Sequence, residues 1–216
     1  MKKFAVILAG CGPLDGAEIH ESVMTLLAID KLGATYRIFA PDINQYHVIN
    51  HYKKRPMDET RNILVEAARI ARGDIQPLAQ FRPEDFDALV MPGGFGVAKN
   101  LCTYAFDGAN MQVNAEVESA LLATKKLGKP IGALCIAPVI LAKVFGNVTL
   151  TIGKDETTEK NIQSLGAKNI RTGHGDVVVD EKNNLFSTPC YMLDAHISDI
   201  AEGAENLIKA MMKKIS

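Results

Sequence analysis

Met1-Lys2-Lys3-Phe4-Ala5-Val6-Ile7-Leu8-Ala9-Gly10-Cys11 admits two readings, and the choice between them decides the fold. Two lysines, an apolar run and Leu8-Ala9-Gly10-Cys11 resemble a bacterial lipoprotein signal, whose cysteine is lipidated after cleavage. The alternative is a first β-strand. The apolar run lies at or below the short end of a signal core, and Gly12, Pro13 and Gly16 turn it straight into a helical pattern without a spacer. A continuous apolar run without alternation is the pattern of a strand buried on both faces. The strand reading is favoured, and with it a cytoplasmic protein that keeps its N-terminus.

Outward from that strand, residues 18–32 carry a helical pattern with Ile19, Val23, Leu26 and Leu27 as its apolar stripe, and residues 35–40 repeat the strand signal. Residues 42–58, with His47, His51, Lys53, Lys54 and Arg55, form a polar excursion, read as a hairpin. Asp58 caps a helix marked by Ile63, Leu64, Ala67, Ala68 and Ile70. Strand and helix patterns then alternate: strands at 88–91, 130–134 and 148–152, helices at 114–126, 137–144 and 157–165, a hairpin joining 177–179 to 185–188, and a C-terminal helix bearing Ile200, Ala204, Leu207, Ile208, Met211 and Met212. Strands alternating with helices imply an α/β fold: a flavodoxin-like three-layer sandwich with a mostly parallel central sheet. Residues 1–216 are read as one domain.

Composition limits the function classes. With 47% hydrophobic and 23% charged residues the chain is globular rather than disordered, and no apolar run approaches the roughly 18 residues of a bilayer span. Balanced charge, 24 Lys+Arg against 25 Asp+Glu, gives no field for nucleic acid or anionic lipid. Cys11, Cys102, Cys135 and Cys190 lack zinc-site spacing and disulfide density, so free thiols, no metal and no cofactor are expected.

In parallel sheets ligands sit beyond the carboxyl ends of the strands. Three turns lie there. Gly10-Cys11-Gly12-Pro13-Leu14-Asp15-Gly16-Ala17-Glu18 departs by one residue from a dinucleotide fingerprint, and Asp15, Glu18 and Glu21 crowd negative charge where a pyrophosphate would sit. Glu18 is either a helix cap at capping-box spacing from Asp15 or a site carboxyl. Ala133-Leu134-Cys135-Ile136-Ala137 has the form of a nucleophile elbow, where the amides of the following helix would lower the thiol pKa; a small buried hydrophobe is the alternative for Cys135. Gly93 and Gly94, in Pro92-Gly93-Gly94-Phe95-Gly96, bring backbone N–H groups to the same edge, where with the N–H of Ile136 they would hold an oxyanion.

Glu18, Pro92-Gly93-Gly94, Lys99-Asn100-Leu101 and the Cys135 elbow together resemble the ThiJ/PfpI superfamily of class I glutamine-amidotransferase-like domains. Within it the chain is similar to the ElbB family, the enhancing-lycopene-biosynthesis or sigma cross-reacting proteins. Gly10 to Glu21, Pro92 to Leu101 and Cys135-Ile136-Ala137-Pro138 carry that likeness, with further matches at 58–62, 150–153 and 176–180. The resemblance implies a homodimer, a hydrogen-bonded Cys135–Glu18 pair, Asn100 at the substrate site, a family link to isoprenoid biosynthesis, and cofactor-independent glyoxalase activity on glyoxal, with methylglyoxal as a further dicarbonyl substrate. Ile136 stands where peptidase and glutaminase relatives carry His, and no His lies between His51 and His174, which weighs against a triad. His20 and His174 are the histidines worth testing.

The expectation is therefore a glyoxalase in which the Cys135 thiolate adds to an aldehyde and Glu18 shuttles the proton. Its rival is a non-enzymatic redox-sensing or stress-response module in which the same cysteine is oxidised and read by a partner.

Overall fold

The computed structural model describes residues 1–215. The central sheet has seven strands: β1 (Lys3–Ile7), β2 (Thr35–Ala40), β3 (Ile75–Pro77), β4 (Ala88–Met91), β5 (Ile131–Leu134), β6 (Val178–Asp180) and β7 (Leu185–Thr188). Their order is β6-β7-β5-β4-β1-β2-β3, and every neighbouring pair is parallel except β6–β7. Residues 4–9 are almost entirely excluded from solvent, as a strand covered on both faces requires. The strand reading of the N-terminal run holds, and the sheet is the mostly parallel one expected.

The helices are α1 (Ile19–Lys31), α2 (Ile63–Ile70), α3 (Ala115–Lys126), α4 (Pro138–Phe145), α5 (Glu156–Ser164) and α6 (Ile197–Lys214). β1-α1-β2 and β4-α3-β5 step along the sheet in opposite directions, so right-handed crossovers put α1 and α3 on opposite faces. The two directions diverge between β1 and β4, where the turns leaving the carboxyl ends open a crevice. α6 packs along α1 and over β7 and β5 through the expected stripe of Ile200, Ala204, Leu207, Ile208 and Met211.

Four local readings change. α2 is capped by Asn62, whose side chain accepts from the N–H of Val65, rather than by Asp58. β3 had no legible signal, being three half-buried residues ending in Pro77 at the sheet edge. Of residues 148–152 only Thr149–Leu150 pair, with Lys168–Asn169, in a ribbon outside the sheet. Most of the apolar stripe of α1 faces outward: Ile19, Val23 and Leu27 are 39%, 42% and 46% exposed, while Leu26 alone of the stripe is buried, together with Glu21, Ser22, Thr25, Ala28 and Ile29. The polar excursion is an antiparallel ribbon, Ile49–Asn50 with Arg55–Pro56. Among the described residues no helix is long and apolar enough to cross a membrane.

Candidate active site

β5 ends at Leu134, and Cys135 takes φ +59°, a left-handed conformation that side chains rarely adopt. The strain is held because the Cys135 N–H donates to the carbonyl of Thr188 on β7, while Ala137 and Pro138 start α4 immediately beyond. Small neighbours let the chain turn sharply here, and the thiol is aimed at the carboxyl edge of the sheet. Cys135 is 7% exposed and lines a cavity of about 630 Å³ with Gly94, Ile136 and Glu18 on its wall.

The carboxyl beside the sulfur belongs to Glu21. Its side chain is hydrogen-bonded to the Cys135 thiol, Oε2 accepts from the N–H of Gly93 at 2.9 Å, and Oε1 accepts from the N–H of Tyr191 at 3.2 Å. Glu18 instead caps α1, its Oε2 receiving the Glu21 N–H at 2.7 Å. The expected Cys135–Glu18 hydrogen bond is thus replaced by Cys135–Glu21, because Glu18 sits at the non-helical cap position and Glu21, one turn on, points under the β4 turn. Glu18 keeps a place on the cavity wall and caps α1 as the N-cap residue itself, not in a capping box with Asp15, whose Oδ2 accepts from the N–H of Ile49 at 2.6 Å.

Gly93 is the pivot of the contact. A Cβ there would lie 2.5 Å from Cys135 Cβ, 2.8 Å from Glu21 Oε2 and 3.0 Å from Cys135 Sγ, so only glycine lets thiol and carboxyl close over the backbone. The Gly93 N–H is spent on Glu21, and those of Phe95 and Gly96 on the carbonyls of Pro13 and Gly16. The Gly94 N–H, at φ +102°, is the donor that reaches the Cys135 sulfur. Gly93 therefore serves the carboxyl rather than an oxyanion.

Electrostatics at this contact also differ from expectation. Burial beneath the cavity, and next the neighbouring Glu18, push the Glu21 carboxyl up to about 7. The Cys135 thiol is raised well above its ordinary value, first by burial and then by the charge of Glu21, against a smaller opposing effect of the Gly94 N–H. The expected lowering by helix amides is outweighed by desolvation. Cys190, whose thiol burial also raises, lies near enough to add to the same repulsion.

Asn100 is not on the cavity wall. Its Oδ1 accepts from the N–H of Tyr46 at 2.9 Å, and its Nδ2 donates to the carbonyls of Asp15 at 2.9 Å and Ala9 at 3.3 Å. It ties the turn after β1 to the polar excursion, a positioning role in place of the expected substrate contact. His20 does line the cavity, with Nδ1 2.8 Å from the Tyr191 hydroxyl, whereas His174 does not. Tyr191 and Glu21 carried no separate sequence signal; Glu21 was legible only as one acidic residue among several in the first turn. Among the described residues no cluster of three or more His, Cys, Asp or Glu is placed to hold a metal ion.

No family model matches the chain. Curated relatives do. The chain is 44% identical to the rat "ES1 protein homolog, mitochondrial" and 43% identical to the human "Glutamine amidotransferase-like class 1 domain-containing protein 3, mitochondrial", in each case over 99% of this chain and 82% of the relative. A crystal structure from Ehrlichia chaffeensis, described as an isoprenoid biosynthesis protein with an amidotransferase-like domain, is 38% identical over the whole of both chains with a TM-score of 0.94. Drosophila melanogaster DJ-1beta shares the fold at a TM-score of 0.56 and 18% identity, over 99% of this chain and 95% of that one. The mitochondrial names of the rat and human relatives overturn the cytoplasmic location expected from the sequence.

Proposed function

The chain belongs to the ES1/ElbB family of glutamine amidotransferase-like class 1 domain proteins, in the DJ-1/ThiJ/PfpI superfamily, and from that premise we propose that it is a cofactor-independent glyoxalase. One observation carries the reading: a strained cysteine and a carboxyl with a pKa near 7 share a hydrogen bond at the edge of a cavity, beside the Gly94 amide. A thiol held protonated needs a base at the moment of attack, and a carboxyl near neutrality suits that task.

In the proposed reaction sulfur bonds to one aldehyde carbon of glyoxal while the thiol proton passes to Glu21. The carbonyl π pair moves onto oxygen, stabilised by the N–H groups of Gly94 and Ile136. Glu21 returns the proton to that oxygen, giving a neutral hemithioacetal. The hydrogen on the sulfur-bearing carbon then leaves as a proton to Glu21 and is delivered to the second carbon, while the hydroxyl proton moves to the second oxygen. The first carbon is oxidised to a thioester as the second is reduced to a primary alcohol. Water cleaves the thioester, releasing glycolate and restoring the thiol.

Glyoxal consumption and glycolate formation by the purified protein test the reading. Cys135→Ser is expected to abolish glycolate, and Glu21→Gln to lower kcat by about 100- to 10,000-fold while Cys135 remains alkylatable. Full turnover in the Gln variant excludes the acid–base role. The redox-sensor alternative is weakened by the raised thiol, since the thiolate is the form that peroxide attacks. The reading includes a homodimer, for which the outward apolar stripe Ile19, Val23 and Leu27 on α1 offers a surface.

A further inference from the structure

In the proposed reaction two oxygens carry charge in turn. The first, on the carbon that sulfur attacks, has the N–H groups of Gly94 and Ile136. The second, on the neighbouring carbon, takes up charge when Glu21 removes the carbon-bound hydrogen, and it needs a donor of its own. Among the described residues the hydroxyl and imidazole groups on the cavity wall are those of His20, Tyr104, Thr158 and Tyr191. The Thr158 hydroxyl is bonded to the Asp155 carboxyl, and the Tyr104 hydroxyl accepts from Asn161 Nδ2 on α5 at 3.0 Å. His20 is held differently. It stands one residue before Glu21 on α1, its Nδ1 lies 2.8 Å from the Tyr191 hydroxyl, and the Tyr191 N–H donates to Glu21 Oε1 at 3.2 Å. The imidazole is thus fastened to the same residue that steadies the base. Burial, then the charges of Glu18 and Glu21, raise the Tyr191 phenol, so it keeps its proton. Among the described residues His20 Nδ1 is the acceptor for that proton. With the O–H aimed at Nδ1, the ring hydrogen of a neutral imidazole belongs on Nε2. Nε2 has no protein partner among the described residues, and the exposed ring lines the cavity.

We propose that His20 is a catalytic residue whose Nε2–H, fixed in that tautomer by the Tyr191 hydroxyl, receives the second oxygen of the substrate. Resting on the glyoxalase reading, this adds a donor to the reaction and no new bond. As Glu21 takes the hydrogen from the sulfur-bearing carbon, the electron pair left behind forms a carbon–carbon double bond and the second carbonyl pair moves onto its oxygen. The Nε2–H holds that charge, as a neutral imidazole can without carrying a formal charge itself. The charge is discharged when Glu21 delivers the hydrogen to the second carbon and the hydroxyl proton moves to the second oxygen. The imidazole ends with the proton it began with.

The tautomer is read by nuclear magnetic resonance of protein carrying heavy-nitrogen histidine, in mildly alkaline buffer where an imidazole is neutral, with His20→Gln assigning the signals. A protonated Nε2 beside a bare Nδ1 is expected, giving way to a mixture in Tyr191→Phe; a protonated Nδ1 in the parent protein would overturn the proposal. Contact is read without turnover. Iodoacetamide puts a carbonyl on the second carbon from the Cys135 sulfur, where the hemithioacetal carries its second oxygen, whereas methyl methanethiosulfonate adds a methylthio group without one. The first adduct is expected to shift the His20 Nε2 signal and the second to leave it in place; equal shifts, or none, count against the contact and overturn the proposal. In turnover of glyoxal, His20→Ala is expected to lower kcat about 100-fold with KM changed less than about threefold. His20→Gln, whose amide N–H extends about as far as Nε2, is expected to recover at least about tenfold of that loss, and Tyr104→Phe to stay within about threefold of the parent protein. Unchanged kcat in His20→Ala, or the loss falling on Tyr104→Phe instead, would remove His20 from the reaction while the Cys135 and Glu21 variants still uphold the glyoxalase reading. The carboxamide contact in a protein that turns over no glyoxal would uphold the Nε2 donor and overturn the glyoxalase reading.

Discussion

Glu21 sets the chemistry and the pH behaviour of the site. Its carboxyl is raised from 4.5 to about 7, so the folded protein binds a proton that the unfolded chain releases. The resulting stability is fully present below about pH 4.5 and is lost as pH rises through 7. At roughly 1.4 kcal/mol for each unit, the stability of Glu21→Gln relative to the parent protein is expected to improve by about 3 kcal/mol between pH 5 and pH 8, measured by denaturant unfolding at both values. A constant difference removes the shift. Catalysis runs the other way, because the base must be unprotonated: kcat/KM is expected to fall below about pH 7 in the parent protein. An acid limb centred near the ordinary carboxylate value would assign the base elsewhere.

At the scale of elements, the turn after β4 closes against the end of β5 through a glycine without spare volume, and the turn after β1 is tied to the polar excursion through the Asn100 amide. Gly93→Ala forces a Cβ to within 2.5 Å of Cys135 Cβ, and both partners are backbone-anchored. The expected cost is about 1–3 kcal/mol of stability, with a loss of turnover larger than thermal unfolding explains. Asn100→Ala removes three hydrogen bonds joining the β1 turn to the excursion and is expected to cost about 1–3 kcal/mol in denaturant unfolding. Wild-type stability in that variant would mean that water replaces the amide. Much of this level was legible beforehand: the elbow, the Gly pair and the turn after β1 were placed at one edge from strand-to-helix transitions alone. The orientation of α1 was not. Apolar periodicity put Ile19, Val23, Leu26 and Leu27 inward, but of these α1 buries only Leu26, and the rest of its inner face includes the polar Glu21, Ser22 and Thr25 beneath the site.

For the whole molecule, that inversion leaves an apolar surface that a second copy of the chain would cover. Sedimentation of the purified protein is expected to give a dimer, and Val23→Glu to shift it toward monomer by placing a charge on the stripe. A monomeric parent protein would end the dimer proposal. Alternation of buried strands and helices was enough to determine the mostly parallel sheet and the location of Cys135 at the carboxyl end of one of its strands, because main-chain hydrogen bonding and burial act on every residue of an element at once. The switch point followed only from the strand order. Which glutamate meets that cysteine, that Asn100 braces rather than binds, and that burial raises the thiol were decided only by tertiary structure. Each depends on how a helix is rotated about its own axis and on how much water its neighbours exclude, and neither quantity is written in the spacing of residues along the chain.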